Sequence, residues 1–327
     1  MKTKLFGVVI LVGVSAFGTG YDRTVWRAMT HGAEFDVLVK VVDDEGDPVA
    51  NAKCSGWMYT ETAPKQGNHY SLHTDTNGLV RVAGKCGEWF SVVLSKEGYY
   101  DTMVDIKYPN HNASPMLVDG KWQPYGETRT VVLKRIKNPG RTCIFPRTPQ
   151  SCRIPEFGRW IGFDLERADW VAPHGKGRYL DVLLKFTAME KRLNDYKYAM
   201  EVSFTNNPYA GAYWLKKDTS SQLATVHAAD SNATYQTSFK FVKEQSPGTQ
   251  RHWDFLNSDS YLVFRTRTRS DEHGNLISAH YGTIVGQWLS ELGFMILSDG
   301  CFNPVENDVN VEDGRALRDI LRNMRNP

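Results

Sequence analysis

Arg265, Arg267 and Arg269 stand at every second position of one segment, and they are the most chemically suggestive residues in this chain of 327. In a strand that spacing puts three guanidiniums on one face and Phe264, Thr266 and Thr268 on the other. A guanidinium is a rigid fork of donors that engages carboxylate and sulfate groups through two bonds at once, so the stripe points to an acidic glycan or an acidic protein surface as ligand. The neighbouring strand segment, Leu276 to Val285, contains no Asp or Glu that could neutralise the stripe. All three arginines are therefore expected on an open face, because a slip of one residue would bury charges at heavy cost unless each found a partner.

Other constellations carry less. Asp164, Glu166 and Asp169 are close enough in sequence to suggest the paired carboxylates of a glycosidase, but spacing alone cannot set two of them on opposite sides of a bond. His31-Gly32-Ala33-Glu34 has the spacing of a His-x-x-Glu zinc pair, yet it falls where the first strand is predicted to begin, with no α/β alternation after it. Asp43, Asp44, Glu45 and Asp47 gather hard oxygen ligands in a turn, without the length or terminal bidentate Glu of a calcium loop. His-Glu-x-x-His, Gly-x-Ser-x-Gly, the P-loop and the dinucleotide fingerprint are absent. No catalytic residue, cofactor or metal is therefore assigned.

The amino terminus points to export. Lys2 and Lys4 precede an apolar run from Leu5 to Val14, and Val14-Ser15-Ala16 supplies small residues for cleavage, so 1–16 reads as a signal peptide and the protein as secreted, periplasmic or on the cell surface. No later segment approaches the ~20 apolar residues of a membrane helix, so no stable insertion is expected after cleavage. An oxidising destination permits disulfides. Cys54 and Cys86 fall in one predicted domain, and Cys143 and Cys152 flank a short basic loop; these are the expected bridges, with Cys301 left over. Four half-cystines allow three connectivities, and the spacing leaves the choice open.

The elements that must carry these residues are strands. The 39 basic and 37 acidic side chains leave a formal charge of +2, which excludes an overall field for nucleic acid, and 41% hydrophobic residues suffice for two cores. Strand signals run from Glu34 to Val42, Leu79 to Val82, Trp89 to Ser95 and Thr130 to Lys134, with turn residues at Asp43 to Pro48 and a hairpin signal at Asn77-Gly78. Further on, Asp181 to Lys191 and Tyr196 to Phe204 predict one hairpin, Thr237 to Val242 a strand with Phe239 and Phe241 on one side, and Tyr261 to Arg269 with Leu276 to Val285 a hairpin about Gly274-Asn275. Leu317, Ile320, Leu321 and Met324 recur at helical spacing.

The order Val42-Asp43, Gly46, Pro48-Val49, Ala52, then Thr74-Asp75 and Gly78, then Lys96, Gly98-Tyr99 resembles the carboxypeptidase regulatory-like domain over about 100 residues. The resemblance implies a transthyretin-like β-sandwich that serves as a spacer or binding unit beside other extracellular domains. Gly162-Phe163-Asp164-Leu165 with DWVAPHGKG from Asp169 to Gly177, Ser278-Ala279-His280-Tyr281-Gly282, and Asn303-Pro304 with Asn307-Asp308 resemble segments of an uncharacterised family of bacterial secreted proteins. That resemblance brings no activity. The expected organisation is an all-β chain: signal peptide 1–16, leader 17–33, regulatory-like sandwich 34–135, linker 136–160, an antiparallel β-sandwich or jelly roll over 161–310, and an amphipathic tail helix 311–327. The expected function is that of a non-catalytic binding or structural protein recognising a glycan or protein, the alternative being a polysaccharide-directed hydrolase with its site in the C-terminal domain.

Overall fold

A computed structural model of the chain describes residues 23–60, 68–108, 116–139, 143–144, 150–192, 194–205, 208–254, 259–285, 288–291, 293–297 and 300–313. The fold is all-β, built from several largely antiparallel sheets, with one helix among the described residues. It divides into two compact units. The first takes the described parts of Met1–Val42, Pro48–Leu94 and Val104–Val131, the second those of Asp43–Asp47, Ser95–Met103 and Val132–Pro327. No helix among the described residues is long and apolar enough to cross a membrane. The signal peptide lies outside the described residues, as does the tail helix from 314 onward.

The first unit begins with α1 (Arg23–His31), where a leader without regular structure is expected. Val25 and Ala28, three residues apart, are buried on one face, and Gly32 at φ +86° ends the helix by donating its N–H to the Ala28 carbonyl. Two apolar residues one turn apart are too short a pattern for a helix to be recognised by period alone. The strands follow as β1 (Ala33–Val42), β2 (Lys53–Met58), β3 (Asn68–His73), β4 (Leu79–Cys86), β5 (Trp89–Ser95), β6 (Thr102–Lys107), β7 (Leu117–Val118), β8 (Lys121–Trp122) and β9 (Glu127–Val132). One sheet has the order β4-β1-β8-β7, with β9 also on β1; the other is β3-β2-β5-β6. Phe35, Val37, Val39 and Val41 send every second side chain of β1 into the core, where the Phe35 ring stacks 4.1 Å from that of Phe90 on the opposite sheet.

Two expectations change here. The Asn77-Gly78 turn forms, with Asp75 Oδ1 accepting the N–H groups of Asn77 and Leu79, but β3 and β4 belong to different sheets, so the turn passes the chain between layers and closes no hairpin. Cys54 on β2 and Cys86 on β4 also belong to opposite layers, and both are free, fully buried thiols. Burial pushes Cys54 up to about 11 and Cys86 up to about 12, so both stay protonated and inert. The side chains of Cys143 and Cys152 lie outside the described residues.

The second unit contains β10 (Cys143–Ile144), β11 (Gln150–Arg153), β12 (Trp160–Asp164), β13 (Asp169–Trp170), β14 (Val182–Arg192), β15 (Asp195–Phe204), β16 (Gly211–Lys216), β17 (Ser238–Gln245), β18 (His252–Asp254), β19 (Ser260–Ser270), β20 (Leu276–Ile284), β21 (Trp288–Glu291), β22 (Phe294–Leu297) and β23 (Gly300–Phe302). They form a six-stranded sheet β13-β12-β14-β15-β17-β18, a five-stranded sheet β10-β23-β20-β19-β16 and a three-stranded sheet β11-β22-β21. Residues 136–160, expected as a linker, supply β10 and β11 to two of these sheets, pairing with β23 and β22. Pro and Arg content marked this stretch as a connection, and two- to four-residue strands leave no period to contradict it.

Phe163, Val182, Leu184, Phe186, Met200 and Val202 of the six-stranded sheet pack against Leu262, Phe264, Ile284 and Phe302 of the five-stranded one. Each such side chain contributes about 1.5–3 kcal/mol by leaving water. The five-stranded sheet is buried on its other face as well, where Tyr261, Val263, Ala279, Tyr281 and Cys301 form a second cluster with Ala229, Tyr235 and Val311. Glu312, also buried, holds this covering layer by accepting from Tyr100 Oη at 2.7 Å, Lys137 N at 3.1 Å and Asn138 N at 2.6 Å. The sheet that carries the arginine stripe thus has no open face around its middle.

Candidate anion-binding cleft

That double burial decides the fate of the stripe. Along β19, Leu262, Phe264 and Thr266 face the main core, and Tyr261, Val263 and Arg265 face the second cluster. Arg265 is only 6% exposed. Its Nε donates to the Tyr209 carbonyl at 2.7 Å, its Nη1 to the Ser231 carbonyl at 3.0 Å, and its guanidinium carbon lies 3.9 Å from the centre of the Tyr235 ring. It is an interior fastener for the 209–235 segment, not a ligand contact.

One residue later the strand changes phase. Thr266 pairs with His280 and Arg269 with Ser278, so three steps on β19 answer two on β20, and Arg267 sits in the resulting β-bulge at φ +51°. For a non-glycine residue that conformation costs about 1–3 kcal/mol and persists only where the surroundings impose it. Asp181 imposes it. Thr266 Oγ1 at 3.1 Å and Arg267 Nε at 3.0 Å both donate to Asp181 Oδ1, so two consecutive residues reach one carboxylate, which no flat strand allows. Arg267 Nη2 adds Asp181 Oδ2 at 3.2 Å and Asp164 Oδ1 at 3.3 Å, and Nη1 adds Glu166 Oε2. The rings of Tyr179 at 3.9 Å and Phe302 at 4.5 Å enclose the guanidinium, leaving the side chain 13% exposed. Burial pushes the Asp181 carboxyl above its ordinary value, and Arg267 pulls it back.

Asp164 organises the chain around this clamp. Its Oδ1 accepts the N–H groups of Glu166 at 3.0 Å and Arg167 at 3.1 Å, its Oδ2 those of Arg178 at 2.8 Å and Tyr179 at 3.1 Å. One buried carboxylate thus ties the turn after β12 to the approach to β14. The fit requires Gly177, where a Cβ would fall 2.9 Å from the Asp164 Cβ. Asp169 serves the next turn separately, accepting from the N–H of Trp170 and of Lys176. Asp164 and Glu166 therefore come together as anchors of Arg267, and Asp169, though paired with Asp164 across β12 and β13, spends its carboxylate on main-chain N–H groups.

Glu166 and Arg267 of the clamp line a cleft of about 1010 Å³. Arg167, Arg178, Tyr179 and Leu180 come from the loops between β12 and β14 of the six-stranded sheet; Arg269, Ser278, His280, Pro304 and Glu306 come from β19, β20 and the chain after β23 of the five-stranded sheet. Arg269 is the one member of the stripe that meets the sequence expectation, with its side chain 67% exposed, and even it is engaged by Ser278 Oγ at 2.7 Å and by Glu306. Hydrogen bonds to Glu306 from Arg269 first and then from Ser278 hold its carboxyl below the ordinary value. His280 stacks on Phe302 at 5.8 Å, and its Nδ1 is buried without a partner. Burial, and then the charge of Arg267, hold its pKa below the ordinary 6.5, so the ring is neutral at pH 7. By contrast Arg167 and Arg178 are exposed, and their guanidiniums have no partner among the described residues.

The acidic turn weighed for calcium is neutralised from within the same unit: Arg135 bonds Asp43 and Lys137 bonds Asp44 and Glu45. Among the described residues no three His, Cys, Asp or Glu side chains converge as a metal site. Alternation along β19 could reveal neither the bulge nor the second cluster. Arg167 and Arg178 were missed because they fall in turns without period. The better signal was the set of resembling segments: Glu166 and Arg167 fall between its first two blocks, Ser278 and His280 in the third, and Pro304 in the last, and all meet at the cleft.

No protein-family model matches the chain, and no curated protein sequence matches it. Among solved structures, 3-chlorocatechol 1,2-dioxygenase from Rhodococcus opacus 1CP is similar at 15% identity and TM-score 0.26 over 32% of this chain and 61% of that one. Hydroxyquinol 1,2-dioxygenase from Pseudomonas putida DLL-E4 is similar at 13% identity and TM-score 0.25 over 33% and 59%. The chain thus spans about three fifths of the length of these dioxygenases, and likeness at this level carries no functional argument.

Proposed function

We propose that this is a secreted binding protein whose second unit takes an anionic ligand in the cleft beside Arg267. The observation that carries the reading is the division of labour among the cleft arginines. Arg267 and Arg269 are neutralised by carboxylates of the protein, whereas Arg167 and Arg178 line the cleft, exposed, with forks of donors that no described residue uses. A guanidinium beside a partly desolvated cleft gains more from an arriving carboxylate or sulfate than one on an open surface. The hydrolase alternative finds less support, because the cleft carboxylates Glu166 and Glu306 each hold an arginine, and Asp164 spends both oxygens on main-chain N–H groups.

The first unit fits a carboxypeptidase regulatory-like module in this proposal, supported by its two packed sheets and the motif order, and acts as a spacer or brace. Export is supported by the Lys2 and Lys4 flank and the apolar run; the mass of the protein recovered from its native cells should place the first residue near Phe17. Binding is tested by calorimetry of the mature protein with acidic glycans. The double variant Arg167→Ser, Arg178→Ser should abolish the heat of binding with the unfolding midpoint unchanged, and the wild-type affinity should fall as salt rises. Equal affinity in the double variant would remove the cleft from consideration.

A further inference from the structure

We infer that the ligand suited to this cleft is a uronate-type sugar, one carboxylate per hydroxyl-rich ring, in preference to a densely sulfated or phosphorylated chain. The inference rests on the anion-binding reading above and adds the ligand class. Its ground is the polarity of what the two sheets contribute to the lining. Arg167 and Arg178 make the six-stranded sheet's contribution cationic, with no partner among the described residues, while Glu306 comes from the five-stranded sheet's side and Glu166 bonds Arg267, with side chains 44% and 29% exposed. An ionised carboxylate only accepts hydrogen bonds, and it has room for about four. Glu306 uses part of that capacity on Arg269 and Ser278, and Glu166 part on Arg267. What remains can be satisfied by hydroxyl donors and is repelled by a second anionic group.

A ligand carrying one negative charge at one end and hydroxyls at the other therefore matches both contributions. A chain with sulfates on every ring sets like charges against Glu306 and Glu166, and a neutral sugar offers Arg167 and Arg178 nothing ionic. Tyr179, half-exposed, adds a flat aromatic surface whose inner side is already covered by Arg267. A peptide is a poorer fit, because peptide recognition relies on a strand edge or on apolar pockets for side chains, and among the described residues Leu180 and Pro304 are the only aliphatic members of the lining.

The test compares polygalacturonate, fully methyl-esterified polygalacturonate, heparin and poly-glutamate by calorimetry at one salt concentration. The expected result is binding of polygalacturonate about tenfold tighter than heparin, loss of binding on esterification, and little binding of poly-glutamate. Glu306→Gln should narrow the gap by improving heparin. Heparin binding as tightly as polygalacturonate, with both lost in Arg167→Ser, Arg178→Ser, overturns the uronate assignment and leaves the anion cleft standing. Equal binding of poly-glutamate overturns the sugar. Failure of every anionic probe, or binding that survives the double variant, overturns the cleft itself.

Discussion

Strands β1 and β19 each place arginine–carboxylate pairs against a sheet, and they do it in opposite ways. β1 is the strand expected from Glu34 to Val42: Phe35, Val37 and Val39 face the core, and Asp36 on the other face, with its side chain 4% exposed, is covered by Arg81 from β4, whose own side chain is 70% exposed. On β19 both faces are covered, a bulge reverses the phase at Arg267, and the guanidinium meets three carboxylates out of water. A pair whose arginine lies in water adds little to a sheet already held by its core. A buried one becomes part of what holds the sheet, because either partner alone is an uncompensated charge.

The sharpest way to break this contrast is to remove one arginine from each pair. Arg267→Met should cost about 3–5 kcal/mol, because it strands Asp181 and Asp164 inside the second unit and leaves a non-glycine residue at positive φ with nothing to hold it there. Arg81→Met should lower the urea midpoint less, since it strands one carboxylate, Asp36, at a place that loss of the exposed Arg81 side chain opens to water. Equal shifts in the two variants would show that burial does not set the worth of these pairs. Replacing Arg265, Arg267 and Arg269 together, neutral if all three lay on an open face, should instead unfold the second unit.

Much of the fold was legible in the sequence for physical reasons that also mark the limit. Hairpins such as β14–β15 and β19–β20 are local, and their turns carry Asn, Asp and Gly where the chain reverses, so Leu193 to Asp195 and Gly274-Asn275 located them. Alternation reports that a strand has two different faces, but it does not say whether the polar face meets water or a second layer. Arg265 is a polar residue on a face covered by Tyr209 and Tyr235 from a segment with no period of its own. Cys54 and Cys86 were expected to pair because one domain held both, yet they lie on strands of different sheets and both are free thiols, and sequence spacing does not set the distance between two sheets. The cleft depends on carboxylates 86 and 103 positions from Arg267, a separation no spacing argument reaches.

Acidification separates the two units by a second route. His280 has a folded pKa held below 6.5 by burial and by Arg267, with Glu306 and Asp181 opposing. A base depressed on folding contributes its stability above its unfolded value and loses it as the pH falls toward the folded one. Asp36 in the first unit is held below 3.8 by Arg81, so its contribution persists until the pH falls below that value. Between pH 7 and 5, amide-exchange protection should therefore fall along β19 and β20 and hold along β1 and β4. His280→Gln should remove the fall in the second unit. If the variant keeps the full pH dependence, the loss has another source.

The smallest effect belongs to Arg269, the stripe member that did emerge on the surface. Its pair with Glu306 is made by two long side chains in contact with solvent, where the attraction is screened and the entropy of fixing both chains opposes it. Arg269→Ser should therefore leave the unfolding midpoint unchanged, in direct contrast to Arg267→Met two positions away. The pair should be visible through titration instead. Arg269 is the first cause of the depressed Glu306 carboxyl, with Ser278 the second, so the variant should raise the Glu306 pKa toward its ordinary 4.5 without restoring it fully. Carbon-detected NMR of the Glu306 carboxyl across pH 2–7 reads the shift directly. A Glu306 titration unmoved by the substitution would mean that the contact does not persist in solution, and that β19 turns every arginine it keeps to use inward.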